Sequence, residues 1–291
     1  MHLREKLTSG EFLILAELEP PKGVDVATLV ASTTRVRGRV DAFVVPEMSN
    51  AVMKMSSLGF SMFLQQKGLE TVMQLCCRDR NRLALQADLL AAHALGVANV
   101  MAVTGEDPSY GDHHKARAVY DIDLIELLQA IQTLQKGKDM AGIELRGSPQ
   151  FCVGSTVNAG ASGGALNLEL EELDKKIAAG AEFFVTPPVF DLKLYSGFLN
   201  KVGDRKAKII PTILLLKSVG MARYIDRHLD YVQIPPDIIT RVQKAGDKVR
   251  ECITIAGEII SALRDMGCSG VHISTLGWED KLLPILDGAR A

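Results

Sequence analysis

At 291 residues, 47% of them apolar and 23% charged, the chain is long enough to bury one large core under an ordinary polar surface. A net charge of −2 excludes the basic footprint of a nucleic-acid or anionic-membrane binder, and no apolar run reaches membrane-spanning length. Five cysteines without a CxxC pair give no zinc or iron–sulfur motif; with a polar start (HLREK) lacking a signal-peptide core, they lead to the expectation of a cytoplasmic protein with reduced thiols, one domain over 1–291.

The first predicted strand, 12–18, is an apolar run with Glu17 near its end, followed by Glu19, Pro20, Pro21 and Gly23. Alternate residues of a strand share a face, so Leu15, Glu17 and Glu19 are expected together. Acids at the exit of a buried strand are costly unless they meet water, a partner or a substrate. This stretch alone leaves simple exit to water and a functional role equally open.

Further strands are predicted at 40–45, 70–76, 98–103, 150–155, 182–186, 208–214 and 269–274. They are short, rich in Val, Ile and Phe, and mostly not alternating, as in strands buried on both faces. Helical patterns fall at 24–37, 56–67, 81–95, 121–135, 167–179, 190–202, 217–229 and 246–266. Gly68, Gly96, Gly180 and Gly267 each close a helical pattern shortly before a strand, where a left-handed residue ends the helix. Eight strands alternating with helices predict an α/β fold, a (β/α)8 TIM barrel, with its functional rim at the C-terminal strand ends. The competing open doubly wound sheet lacks a G-x-G-x-x-G after the first strand.

The rim then comprises Glu17 and Glu19, Pro46-Glu47, the stretch from Gln74 to Asp79, that from Thr104 to Asp107, that from Gly154 to Asn158, Thr186 to Pro188, Leu215 to Lys217, and Thr275. The long connection 104–120 carries no pattern of its own, as binding loops and lids often do not. The small-residue stretch 154–164 suits close backbone approach to a phosphate, or equally a mobile surface loop. His113-His114 read as surface, His272 as a satisfied core histidine, and Met53 and Met55 as packing.

Several segments carry a likeness in order and spacing. They are Glu17-Leu-Glu-Pro-Pro, Cys77-Arg-Asp-Arg-Asn-Arg, Asn99-Val-Met-Ala-Val-Thr-Gly and Lys176-Ile-Ala-Ala-Gly-Ala leading to Phe-Val-Thr. Phe190-Asp191, Ile210-Pro211 and Gly270-Val-His-Ile-Ser-Thr-Leu extend it. Over nearly its whole length the chain resembles the methylenetetrahydrofolate reductase family, in particular the short bacterial form of anaerobes without a regulatory domain. The resemblance implies a barrel that binds flavin across its mouth and reduces 5,10-methylenetetrahydrofolate to 5-methyltetrahydrofolate. It implies FAD, with FMN as the alternative, and electrons from NAD(P)H or from ferredoxin through a partner subunit. A homo-oligomer or a complex with such a partner is expected. Two other functions stay open: a reductase-like subunit of a larger electron-transfer complex, and a non-redox tetrahydropterin-binding or methyl-transfer barrel.

By the same resemblance Glu17 is the general acid that opens the methylene bridge, because a desolvated carboxyl with a raised pKa can donate near neutral pH. Glu19 replaces an apolar residue and is a modulator or a rim charge. Glu106 corresponds to an aspartate that meets flavin and pterin; it is one methylene longer and followed by Asp107, so which of the two acids does that work stays open. Lys176 matches a lysine on the flavin phosphate side, with a solvated helix lysine as the competing reading. Tyr120 and Asp121 match the segment beside adenosine, and Gly154 and Asn158 fall where the family uses Tyr and His against the cofactor. Pro46, Gln74 and Thr104 replace a threonine, a histidine and an arginine around flavin, with Gly105 and Cys76 beside them. Pro187 replaces a folate-holding glutamine, and Val219 lies near an aromatic that stacks on substrate or nucleotide.

Overall fold

The computed structural model describes residues 3–289, so His2 of the polar start lies outside the described residues. Eight parallel strands, β1 (Leu13–Glu17), β2 (Ala42–Val45), β3 (Thr71–Cys76), β4 (Asn99–Val103), β5 (Cys152–Thr156), β6 (Phe183–Pro188), β7 (Lys208–Leu214) and β8 (Gly270–Ser274), pair in chain order. β8 closes onto β1 in the register Leu15 to His272, completing the expected barrel. Around it run α1 (Leu3–Ser9), α2 (Ala27–Arg35), α3 (Ser57–Gln66), α4 (Arg82–Ala94), α5 (Leu124–Gln135) and α6 (Gly163–Ala178). α7 (Leu192–Val202), α8 (Val219–His228), α9 (Pro236–Lys244), α10 (Lys248–Asp265) and α11 (Leu282–Gly288) complete the set.

The helix starts follow from side-chain acceptors for orphan amides. Asn81 caps α4 by accepting from Leu83 and Ala84, and Asp123 forms a reciprocal capping box with Glu126 on α5. At the other ends Gly68, Gly96, Gly180 and Gly267 all have positive φ, as their position before strands requires.

Two apolar layers hold the barrel. The outer one lies between strands and helices; the inner one fills the barrel with Leu13, Leu15, Val44, Val72, Met101, Phe183 and their neighbours. Gly154 belongs to the inner layer, where a Cβ would lie 2.3 Å from the Phe183 ring. The sequence reading stops the fifth strand at 155, but β5 runs on to Thr156. Gly154 therefore sits one layer below the rim, and Thr156 takes the rim position on that face.

Three helices carry too little pattern to be expected from sequence: α1 and α11 are seven residues each, and α9 opens on Pro235-Pro236. α1 plugs the N-terminal end of the barrel. Its Leu3 and Leu7 join the inner layer, and the Arg4 guanidinium reaches the Phe151 carbonyl and the Glu182 carboxylate. Leu7→Ala is expected to lower the unfolding free energy by about 2–4 kcal/mol. Leu83→Ala, at a position that is 73% exposed, should change it by less than about 0.5 kcal/mol, both read by urea denaturation.

Candidate active site at the barrel mouth

β1 ends at Glu17 because Pro20 and Pro21 have no amide to continue the ladder. Glu19 has therefore left the strand, and the expected three-residue face is cut to Leu15 and Glu17. The two acids have different surroundings. Glu19 pairs with Lys54 Nζ at 2.6 Å. Glu17 has no such cation among the described residues; its Oε1 accepts a 2.7 Å hydrogen bond from Ser274 Oγ on β8. Burial pushes the Glu17 carboxyl above its ordinary range, against the Ser274 hydrogen bond and Lys54, while the charges of Glu19 and Glu279 push it the same way as burial.

Across the mouth, Glu47, Ser49, Gln74, Val103, Thr104, Gly105, Glu106 and Thr156 line a cleft of about 380 Å³. Its walls are fixed by buried charge. Glu47 accepts from the Ser57 amide at 3.0 Å, from the Ser57 hydroxyl, and from Arg80 at 3.3 Å. The Glu47 amide donates to Gln74 Oε1 at 3.3 Å. An amide N–H only donates, so the Gln74 oxygen faces it and the NH2 is left for the cleft.

The Arg78 guanidinium, 2% exposed, holds Asp79 at 2.7 Å and donates to the carbonyls of Glu106 (3.3 Å) and Met48 (3.4 Å). It thus ties together the connections after β2, β3 and β4. The first of these is strained: Met48, Asn50 and Ala51 all have positive φ. Glu106 stays largely exposed, its carboxylate 3.9 Å from Arg78.

Of the other expected residues, Thr104, Gly105, Gln74 and Glu106 line this cleft, and Pro46 is buried behind it. Cys76 is turned under the next connection: its Sγ lies 3.3 Å from the Thr104 carbonyl, and Gly105 (φ +85°) leaves room for it, since a Cβ there would lie 2.1 Å away. Tyr120 donates to the Gly105 carbonyl at 3.0 Å, and Asp121 is engaged by the Arg82 amide and guanidinium at 2.8 and 2.9 Å. A second hollow of about 400 Å³ adjoins the cleft through Thr104 and is lined by Tyr120, Asp123, Glu172 and Lys176 among others. Buried Lys176 donates to the Thr156 carbonyl at 2.9 Å, and burial lowers its pKa.

Asn158 folds onto its own connection, accepting from the Gly160 amide at 3.0 Å. Pro187 lines a separate hollow of about 590 Å³ with Phe190, Tyr231 and residues 159–163. Val219 opens α8, half-buried against the outer layer. The long connection 104–120 contains one short 3-10 turn, Pro108–Tyr110, and Asp112 fastens it to Lys22 and to the Met53 amide. Lys54 and Glu279 escape the sequence reading; Arg78 falls in the expected rim stretch and Ser274 in the segment on β8 that carries the likeness, both without an assigned role, and the inward alternation of β8 is the signal that points to Ser274.

The family model for methylenetetrahydrofolate reductase matches residues 2–290. The chain belongs to this family. It is 23% identical to methylenetetrahydrofolate reductase 2 of Schizosaccharomyces pombe over 301 residues, covering 98% of this chain and 46% of the relative. It is 25% identical to a probable methylenetetrahydrofolate reductase (NADH) of Oryza sativa over 75% of this chain and 37% of the relative. The chain thus spans less than half the length of these curated reductases. In fold it is similar to an uncharacterized protein from Clostridium thermocellum that binds two copies of 5-methyl-5,6,7,8-tetrahydrofolic acid. That likeness has a TM-score of 0.67, 14% identity, and covers 99% of this chain and 97% of the other.

Within this reductase-family barrel, burial pushes the Cys76 thiol up to about 11. At pH 8 such a thiol is about one part in a thousand thiolate, against roughly a quarter for an ordinary cysteine. Alkylation of native protein by iodoacetamide at pH 8, followed by peptide mass spectrometry, should leave Cys76 essentially unmodified while the unfolded chain labels fully.

Proposed function

We propose that the chain reduces 5,10-methylenetetrahydrofolate to 5-methyltetrahydrofolate using a bound flavin, with Glu17 as the general acid. The observation that carries this reading is a mouth carboxyl without a cation beside one that has its own. Glu17 is held by a hydroxyl and pushed above its ordinary carboxyl range by burial, while Glu19 pairs with Lys54. Membership of the reductase family supports the reaction. The fold shared with a barrel that binds 5-methyltetrahydrofolic acid supports a tetrahydrofolate at the mouth.

The residues fit a flavin. The Gln74 amide offers donors into a cleft whose neighbouring hollow carries Lys176, and the two share Thr104, a run suited to a ring with a phosphate-bearing tail. Gln74, Thr104, Gly105 and Glu106 would hold the ring, with Lys176 and Tyr120 toward the tail of FAD or FMN. Bound and reduced, the flavin supplies the hydride. Glu17 gives its proton to the folate nitrogen that leaves the bridging methylene as that C–N bond breaks. The exposed Glu106 carboxylate lowers the energy of the cationic iminium left behind. Having given up its proton, Glu17 would be left as an anion and regain a proton from solvent before the next turnover. Electrons enter from NAD(P)H, or from ferredoxin through a partner subunit.

A second reading, a non-redox tetrahydropterin-binding barrel, is favoured by the residues that replace the family's flavin contacts, Pro46, Gln74 and Thr104. Anaerobic half-reactions separate the two. Glu17→Gln should retain reduction of its flavin while flavin reoxidation by methylenetetrahydrofolate slows about 10²–10⁴-fold. Reoxidation at the wild-type rate removes Glu17 from the acid role, and a colourless chain that binds methyltetrahydrofolate and regains no flavin supports the second reading.

A further inference from the structure

His272 lies on β8 between Val271 and Ile273, both of which face the outer layer, so its ring points into the barrel. It is 5% exposed, level with Leu15 of β1 and Thr212 of β7. Ser274, two residues on, shares its face and reaches Glu17. His272 therefore lies one layer beneath the mouth carboxyl, about 6–7 Å down the strand.

Its tautomer follows from its partners. Thr212 Oγ1 stands 2.5 Å from the Thr186 carbonyl, which can only accept, so the single hydroxyl proton goes there. Toward His272 Nδ1, at 3.1 Å, the same hydroxyl must accept, and Nδ1 carries the ring proton. Nε2 is then a bare acceptor, buried and without a partner among the described residues. An orphaned buried acceptor costs about 1–3 kcal/mol, and native proteins satisfy nearly all of them. Burial also lowers the imidazole to about 4, so the ring is neutral at physiological pH and cannot satisfy itself by protonation.

We propose that His272 is a positioning residue for Glu17: inside the barrel its Nε2 holds a water molecule that accepts the Glu17 carboxyl proton in a hydrogen bond. Two hydrogen bonds of roughly 2.8 Å span the layer spacing. The water donates one proton to Nε2 and the other to Ser274 Oγ, whose own proton already goes to Glu17 Oε1. With both protons committed, the water has only lone pairs left for Glu17, so it can stabilise the acid and not the carboxylate. A buried water typically makes about three such bonds, and this one makes three. Thr212 enforces the arrangement: with the ring in the opposite tautomer, Nε2–H would donate to the water and free one of its protons for the carboxylate.

The charged groups around Glu17 are Glu19 on its own connection, Glu279 after β8 and Lys54 after β2, and none of them touches Nε2. The inference depends on the proposed reaction only for what the proton of Glu17 is used for. Its test is the titration of the Glu17 carboxyl, followed by the infrared carbonyl band that Glu17→Gln removes. Thr212→Val should move that midpoint down by about one pH unit, and Thr212→Ser, which keeps the hydroxyl, should leave it in place. An unchanged or raised midpoint in Thr212→Val overturns the proposal. On the wild-type protein, nitrogen-15 NMR should report the Nδ1–H tautomer of His272 with no titration between pH 6 and 8. An Nε2–H tautomer overturns it, whether or not the variants fold. Folate turnover by Glu17→Gln would defeat the proposed reaction while leaving both of these readings intact.

Discussion

At the end of the first strand one carboxyl is denied a counter-charge. A buried carboxylate without a cation is expensive, and the group lowers that cost by keeping its proton. Burial pushes Glu17 in that direction, because Lys54 pairs with Glu19 and its own hydrogen-bond partner, Ser274, is neutral. Had Lys54 met Glu17 instead, the carboxyl would be held as an anion and could donate nothing near neutral pH. In the proposed reaction, which acid receives the lysine decides which one can donate a proton.

The rest of the rim holds that edge still. Arg78 carries a full charge into a buried position and disposes of it through Asp79 and two backbone carbonyls, so the connections after β2, β3 and β4 are fastened to one group. The positive φ values at Met48, Asn50 and Ala51 persist because Arg78 holds the Met48 carbonyl and the connection 104–120 packs against Ala51. Beneath, the packed inner layer and the α1 plug make the barrel a rigid base. Such a base lets an isolated acid and an isolated imidazole keep fixed surroundings.

Much of the fold was legible because barrel strands, buried on both faces, read as unbroken apolar runs, and because glycine marks four of the returns from helix to strand. What stayed illegible depends on distance in sequence. Nothing near Glu19 announces Lys54, and nothing near Glu17 announces Ser274, 257 positions away. One residue of strand length was enough to misplace Gly154, which reads as rim and lies under Phe183, while Thr156 reaches the cleft. His272 reads as an ordinary core histidine, and it is buried as expected. That one of its nitrogens is left bare emerges only when the Thr212 hydroxyl and the Thr186 carbonyl are placed beside it. α1 and α9 were missed for a different reason: seven residues, or nine opening on proline, carry too little period to register.

The most direct measurement is a crystal structure of the chain with 5-methyltetrahydrofolate bound. The account expects the pterin across the C-terminal mouth, with Glu17 within hydrogen-bond reach of the folate nitrogen that receives the proton and Glu106 on the same bound molecule. A complex in which the folate lies away from β1, or in which Glu17 turns from the mouth to meet a cation, would contradict it.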